Sequence, residues 1–291
     1  MANDTSMPEM HYINLGRARQ RRASMEVQAR AHGLALTRFA ACEAAAIDED
    51  RFAWLSTRWE RPMTRPELAA YLSHRALWER AAATPEGLVI LEDDTIFAAH
   101  FRAVACEVAA SGYDLVNFET VGRRKFFKKA AASDRGRFRF TALVRDKSGA
   151  GAYYVSQAGA RRLLAASKTH VAPVDAYMFG VCRLKIAQVE PAATMQVHLL
   201  QERGFDVGLT TTTSIHQPRQ RLPLTLTNLG YVAKRLRTQL RLAGVQARRL
   251  VDVEFRRADF DHTVFDDVLP IPAADLDAEM RRYWPADQTP S

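Results

Sequence analysis

The sequence contains few cysteines and no long apolar segment. Its three cysteines, Cys42, Cys106 and Cys182, form no CxxC pair and no other spacing typical of a metal site, which favours their interpretation as small buried side chains. No apolar run approaches the roughly 18–20 residues that span a bilayer. The polar N-terminus Met1–Thr5 is not followed by the apolar segment of a signal peptide. We therefore expect a soluble protein in the reducing cytoplasm.

Acidic residues are absent between Asp206 and Asp252, although the same stretch carries eight cations, as many as the net charge of +8 of the whole chain. The apolar residues of its predicted helix follow a helical spacing and form one face: Leu229, Val232, Leu236, Leu240 and Ala243. Three interpretations of residues 229–249 remain open, namely a solvated face, adsorption to anionic membrane lipids, and nucleic-acid binding. The last is the weakest, because basic charge alone is not a nucleic-acid motif.

Several common catalytic motifs are also missing, among them GxxxxGK[ST], HExxH and GxSxG. Gly149 and Gly151 do not form a dinucleotide-binding fingerprint, because Tyr154 occupies the third glycine position and the glycines precede a predicted strand. The chain instead alternates short apolar strands with amphipathic helices, beginning with a β-α-β unit over residues 11–40. This alternation predicts an α/β sandwich with a largely parallel sheet.

One predicted strand ends abruptly in three carboxylates. The apolar run Leu88–Leu91 is typical of a strand buried on both faces, and Glu92, Asp93 and Asp94 follow it directly. Ligands of open α/β sheets bind beyond the carboxyl ends of the strands, and adjacent carboxylates ionise together only when a cation neutralises them. A hard cation such as Mg²⁺ or Mn²⁺ would do so and would hold a diphosphate. In the alternative interpretation, Asp94 caps a helix predicted over residues 97–110.

Five motifs follow one another in a specific order. They are Ile13-Asn14-Leu15 with Arg21-Arg22 and Met25, then Tyr71-Leu72-Ser73-His74-Arg75, Leu91-Glu92-Asp93-Asp94, the glycine-rich segment 149–160, and Pro173-Val174-Asp175. In this order they resemble glycosyltransferase family 25, the lipooligosaccharide galactosyltransferases of bacterial surfaces with relatives that act on collagen. The resemblance implies a GT-A-like (Rossmann-like) α/β/α sandwich over residues 10–217. Residues 218–291 would then form a basic helical extension.

The resemblance also implies roles for individual residues. Glu92 and Asp94 would bind Mn²⁺ or Mg²⁺, with His198 or His216 completing the site. Asp175 is the candidate general base, or alternatively a helix cap. The implied donor-binding residues are Asn14, Arg21, Arg22, Ser73, His74, Asp93, Gly151 and Tyr153. Neighbouring arginines on a helix cannot both point inward, His74 could instead be a satisfied core histidine, and Tyr153 is expected to stack on the sugar.

The implied reaction is an inverting, metal-assisted transfer of galactose from UDP-galactose to a sugar hydroxyl of a cell-surface glycolipid. An alternative is transfer of glucose or N-acetylglucosamine to capsule or protein. An alternative of another class is a non-catalytic basic protein that binds a membrane or, less in keeping with the sequence, nucleic acid. The expected location is the cytoplasm, with peripheral contact at the inner membrane through residues 229–249.

Overall fold

The computed structural model of the chain describes residues 7–146, 149–209, 225 and 228–284. In these residues the strands are β1 (Glu9–Asn14), β2 (Leu36–Ala40), β3 (Leu88–Glu92), β4 (Thr95–Phe97), β5 (Leu115–Asn117), β6 (Arg124–Asp134), β7 (Arg139–Arg145), β8 (Ala152–Val155), β9 (Ile186–Glu190), β10 (Thr194–Gln196) and β11 (Val253–Arg257). The helices are α1 (Arg19–His32), α2 (Glu49–Ser56), α3 (Arg65–Ala83), α4 (Phe101–Glu107), α5 (Gln157–Ser167), α6 (Val174–Ala176), α7 (Val197–Gln201), α8 (Leu229–Ala247), α9 (Thr263–Asp266) and α10 (Ala273–Tyr283).

A nine-stranded mixed sheet forms the centre of the fold, in the order β11-β6-β7-β9-β5-β8-β3-β1-β2. Strands β1, β2, β3, β5, β6 and β9 run in one direction, and β7, β8 and β11 run in the other. A separate pair, β4 and β10, is antiparallel. The predicted α/β class with a mostly parallel central sheet is therefore confirmed, and the architecture is consistent with a GT-A-like, Rossmann-like fold.

Helices cover both faces of the sheet. Successive side chains of a strand point to opposite faces, and those of β3 enter two different apolar cores. Leu88 and Ile90 pack in a core with residues of α3 and α5, whereas Val89 and Leu91 pack in a core with residues of α1 and α4. All four side chains are completely buried. The prediction that this strand is buried on both faces is confirmed, and the layers form an α/β/α sandwich.

The local signals at the helix ends explain how two helices reach the sheet. Helix α1 ends at Gly33, whose φ of 62° lies in the left-handed region that glycine adopts without strain. Helix α3 begins with a capping box, in which the Thr64 hydroxyl accepts from the Glu67 amide and the Glu67 carboxylate accepts from the Thr64 amide. Because the start of α3 is fixed in this way, its buried face, with Leu68 and Leu77, packs on the sheet.

Two local predictions are wrong, because pairing between distant segments decides the structure there. Residues 97–110 were expected to be helical from their start, but β4 ends at Phe97 and α4 begins only at Phe101, since β4 pairs with β10 from a much later part of the chain. The basic and aromatic composition of residues 123–129 predicts a loop. Most of them belong to β6, which β7 and β11 hold from both sides.

The described strand and helices after residue 217 differ in how closely they pack on the rest of the fold. Strand β11 extends the central sheet, and α10 packs on α1, where Glu279 forms an ion pair with Arg30. Helix α8 has no buried residue. The division of the chain at residue 217 stays a prediction. Among the described residues, no helix is both long enough and apolar enough to cross a membrane.

Candidate active site

Three strand ends meet at one edge of the sheet. Strands β1, β3 and β5 run in the same direction, so their last residues, Asn14, Glu92 and Asn117, lie at the carboxyl edge where open α/β sheets bind ligands. Strand β8 runs the opposite way and therefore starts at this edge. Its approach brings Gly151 there, and the Glu92 amide donates to the Gly151 carbonyl oxygen over 2.6 Å. The predicted acidic strand end thus lies in a position typical of a ligand site.

Asp93 is held by two of the residues predicted to bind the donor. Asn14 donates from Nδ2 to Asp93 Oδ2 over 2.7 Å, and Arg21 donates from Nη1 to Asp93 Oδ1 over 3.1 Å. Arg38 in turn donates to Asn14 Oδ1 over 2.8 Å and fixes the orientation of that amide. Burial raises the pKa of the Asp93 carboxyl, whereas Arg21 and Asn14 act in the opposite direction. Asp93 is therefore a buried anchor between α1 and the strand end.

Glu92 is positioned by a chain of aromatic side chains. The indole N–H of Trp78 donates to the Tyr153 hydroxyl (2.8 Å), which lies 2.9 Å from His74 Nδ1. His74 Nε2 lies 3.4 Å from Glu92 Oε1. The indole is only a donor, so the hydroxyl accepts from it and can donate to Nδ1. A neutral His74 ring that accepts at Nδ1 carries its proton on Nε2, which faces the Glu92 carboxylate. We infer this tautomer for His74.

Asp94 and Glu119 are buried carboxyl groups with incomplete hydrogen bonding. Asp94 Oδ1 and Glu119 Oε2 have no hydrogen-bond partner. Burial first, and then the charges of Glu92 and Asp93, raise the pKa of Asp94. Burial raises the pKa of Glu119 to about 8, the Gly151 N–H opposes this, and the charges of Glu92 and Asp94 add to it. Carboxylate oxygens are the type of donor that Mg²⁺ and Mn²⁺ prefer, so the chemistry of these two side chains suits such a cation.

Asp94 does not cap a helix, because β4 follows it directly. The sequence interpretation also missed Glu119. The available signal was its position as the first carboxylate after the buried strand β5, which resembles the position of Glu92 at the end of β3.

Glycines form the floor between these carboxylates. A Cβ atom on Gly151 would lie 2.6 Å from Glu119 Oε2 and 3.0 Å from Gln196 Nε2. A Cβ on Gly149, whose φ is 110°, would lie 2.8 Å from Asn117 Nδ2. The Gly151 amide donates to Glu119 Oε1 over 2.8 Å. Only glycine allows the backbone to approach the carboxylates this closely.

A buried ion pair supports Glu119 from behind. Lys125 Nζ lies 2.6 Å from Asp146 Oδ2, and both side chains are 1% exposed. The same ammonium donates to the Glu119 carbonyl oxygen (3.3 Å) and to Gln188 Oε1 (2.6 Å). Removing one partner of such a pair leaves a buried charge uncompensated. Lys125 thus supports Glu119 from inside the protein, although the sequence predicted that this lysine would lie in a basic surface loop.

The predicted histidine ligand is not brought into a metal cluster. Across the described ranges, no group of three or more His, Cys, Asp or Glu side chains could hold a metal ion as arranged. His198 lies in the short helix α7, and the neighbour that reaches the acidic strand end is Gln196, whose Nε2 is 3.3 Å from Glu92 Oε2. Gln196 reaches it because β10 pairs with β4. His216 lies outside the described residues, and the metal stays a prediction.

Three predicted donor-binding residues have structural partners instead. Ser73 Oγ accepts from the Cys42 amide and donates to the Ala69 carbonyl oxygen, both over 2.9 Å. The Arg22 guanidinium lies 4.1 Å from the ring centre of Tyr283, so Arg21 alone of the pair points to the acidic strand end. Tyr153 is completely buried and stacks on His74, which corrects the expectation that it stacks on a sugar.

Asp175 lies in the first turn of the short helix α6, and not on an extended segment. Its Oδ1 accepts from the amide of Ala176 over 2.7 Å. Glu67 first, and Asp175 to a smaller extent, raise the pKa of Arg61. The carboxylate is half-buried, and a role as general base stays a prediction.

The chain is similar to known glycosyltransferases over this part of the fold. Residues 7–178, more than half of the chain, match "Glycosyltransferase family 25 (LPS biosynthesis protein)". A protein of Anopheles gambiae named "Glycosyltransferase 25 family member" is 30% identical over 135 residues, which are 41% of this chain and 22% of that protein. Proteins of the same name from Drosophila pseudoobscura pseudoobscura and Aedes aegypti are 29% and 28% identical over 132 and 131 residues.

These matches cover 41% and 40% of this chain and 21% of each of the last two proteins, so the chain spans about a fifth of the length of the curated relatives it matches. The family match includes β1, β3 and β8 with the carboxylates at their shared edge. The sequence resemblance is therefore confirmed: the chain belongs to glycosyltransferase family 25.

Proposed function

We propose that this chain transfers a glycosyl group from a nucleoside diphosphate sugar to an acceptor hydroxyl. One observation carries the proposal within the family assignment: two buried carboxylate oxygens, Asp94 Oδ1 and Glu119 Oε2, have no hydrogen-bond partner at the carboxyl edge of the sheet. Burying such oxygens costs free energy unless a cation or a hydrogen-bond donor of the protein contacts them. A cation that also holds a diphosphate would do so at the place where ligands of this fold class bind.

We further propose that Asp94 and Glu119, with Glu92 beside them, bind Mn²⁺ or Mg²⁺ once their side chains turn toward a common point, since the described residues form no ready-made group of three ligands. The bound cation would supply Lewis-acid stabilisation of the charge on the departing diphosphate. The protein's own contribution is to orient the carboxylates. His74 and Gln196 fix the two oxygens of Glu92, and the Gly151 amide fixes one oxygen of Glu119.

The proposed reaction is an inverting displacement at the anomeric carbon. The acceptor oxygen forms a bond to the anomeric carbon while the bond between that carbon and the diphosphate oxygen breaks. The electrons of the broken bond leave with the diphosphate. The proton of the acceptor hydroxyl passes to the Asp175 carboxylate. One carboxylate near the acceptor is sufficient for this chemistry, unlike the paired acids of glycoside hydrolysis.

We propose UDP-galactose as the donor and a cell-surface glycolipid as the acceptor. The description of the matched family as an LPS biosynthesis protein supports a glycolipid acceptor. The location we propose is the cytoplasmic face of the inner membrane, where such acceptors are assembled.

Calorimetric titration with UDP, with and without Mn²⁺, tests the core of the proposal. We expect binding that requires the metal and that weakens at least about tenfold in Asp94→Asn and in Glu119→Gln, because each change removes one anionic oxygen donor. Asp277→Asn is the matched control, since Asp277 is exposed and distant in sequence from the acidic strand end. UDP binding that does not require the metal and that has the same affinity in both variants would overturn the proposal.

A second experiment isolates the general base. In Asp175→Asn, turnover of the donor sugar identified by a hydrolysis screen should fall by about two to four orders of magnitude, the usual contribution of general base catalysis. The affinity for UDP should stay within about twofold. Unchanged turnover would remove Asp175 from this role while leaving the proposed cation site intact.

A further inference from the structure

Helix α8 turns a stripe of apolar side chains away from the protein. The stripe consists of Leu229, Val232, Leu236 and Leu240, which are 56%, 38%, 59% and 67% exposed. The half-buried side chains of the same helix include Tyr231, Thr238, Leu242 and Val245. At 3.6 residues per turn these two sets lie on opposite sides of the helix. The helix therefore rests on the protein by one side and presents the stripe outward.

The outward stripe dominates the exposed apolar surface of the described chain. Leu250 and Val251, just beyond the helix, are 89% and 76% exposed. Among the described residues, all the exposed large apolar side chains except Trp54 lie between Leu229 and Val251. A contiguous exposed apolar patch marks a surface that binds a partner, because scattered single residues would need no such alignment.

Cations flank the stripe, and one more cation attaches the helix. On the helical projection Arg237 lies on one side of the stripe and Arg235 on the other, whereas Arg241 lies close to Lys234. Lys234 Nζ instead donates to the carbonyl oxygens of Thr57, Arg58 and Trp59 over 3.2–3.3 Å, just past the end of α2. A cation at a helix C-terminus is favourable. Lys234 thus holds α8 on the rest of the protein, while Arg235 and Arg237 lie on the two sides of the exposed leucines.

We propose that α8 and residues 248–251 form a docking surface for an anionic lipid membrane, in which the helix lies parallel to the bilayer surface. An apolar stripe bordered by cations is the pattern of helices that bury one face at the lipid headgroup boundary. A second copy of this helix fits less well, since no acidic residue lies between Asp206 and Asp252 and the arginines would face each other unpaired. A nucleic acid offers phosphates to the cations but no surface that covers four aligned aliphatic side chains.

Vesicle co-sedimentation of the full chain, without any donor sugar, tests the docking surface. We expect at least about tenfold stronger binding to phosphatidylcholine vesicles with about 30% phosphatidylglycerol than to phosphatidylcholine alone, and a steep loss between about 0.05 M and 0.5 M salt. Arg235→Gln with Arg237→Gln should weaken binding about 25-fold, or about fivefold per cation. Leu236→Gln with Leu240→Gln should weaken it at least about tenfold and keep the salt dependence.

Arg137→Gln with Arg161→Gln is the matched control, because it removes the same charge from exposed positions elsewhere and should change binding by less than about twofold. None of the four substituted α8 residues is buried, so the thermal midpoint should not change. Four outcomes would overturn the proposal: equal binding to neutral vesicles, an equal effect of the control pair, preferred binding to duplex DNA or RNA, or a dimer that only the leucine variants dissociate. The binding of UDP is measured separately, so the two proposals fail independently.

Discussion

Replacement of Glu119 by Gln gives the sharpest prediction about the buried acidic site. In the chelated, metal-free protein the Glu119 carboxyl binds its proton more tightly in the folded chain, because burial raises its pKa from the ordinary 4.5 to about 8. The folded state therefore holds an extra proton between these two pH values. Stability from this group is greatest below the lower value and is lost as the pH rises through about 8.

The size of the effect follows from the two pKa values. A tenfold change in acidity is worth about 1.4 kcal/mol, so a pKa change from 4.5 to about 8 corresponds to an upper limit of about 5 kcal/mol. Asp94 competes for protons in the same cluster, and its charge is one cause of the raised pKa. We therefore expect the free energy of unfolding to fall by about 2–5 kcal/mol between pH 5 and pH 9.

Urea unfolding at several pH values, with a chelator present, measures this decline. In Glu119→Gln about half of the decline should disappear, because the amide keeps the shape of the carboxyl group and has no charge to bury. Part of it should remain, since Asp94 also has a raised pKa. Asp277→Asn should follow the unmodified chain at every pH. Parallel pH curves for the unmodified chain and Glu119→Gln would refute the assignment of a strongly raised pKa to this residue.

Two further substitutions test the packing around the site. Gly151→Ala should lower the free energy of unfolding by about 1–3 kcal/mol and abolish UDP binding in calorimetry, because the new methyl group would lie 2.6 Å from a buried carboxylate oxygen. Gly230→Ala, which would meet nothing within 4 Å, is its control and should cause no loss in either measurement. Tyr153→Phe should cost about 1–3 kcal/mol in urea unfolding, since it leaves a buried indole N–H without its acceptor, and equal stability would contradict the hydrogen-bond chain to Glu92.

The sequence alone was sufficient for the parts of the site that depend on one segment. A continuous apolar run followed by carboxylates identified β3 and the edge at which Glu92 lies, because strand burial and strand ends are local properties. The same holds for Gly33, whose position after a helical pattern indicated the end of α1. Asn14 and Arg21, which the family resemblance implied as donor-binding residues, both contact Asp93, and donor binding itself stays a prediction.

Residues that reach the site through distant pairings could not be predicted in this way. Gln196 contacts Glu92 only because β10 pairs with β4, and no local pattern specifies that pairing. A lysine side chain is ordinarily solvated, yet Lys125 is buried because β7 and β11 enclose β6. Tyr153 has the right position for a binding role, but burial by α3 decides its actual contacts.

The reversed strand β8 has a consequence for how this protein could be altered. In a sheet of parallel strands only, every segment at the carboxyl edge leaves the sheet and carries side chains outward. Here β8 enters the sheet at that edge between β3 and β5, and its entrance is glycine backbone packed against Glu119. That backbone has no side chain that could be exchanged. Changes of specificity, in laboratory selection or in natural divergence, therefore have to come from other segments, such as those that follow β1, β3 and β5, while the glycine backbone between them stays constant.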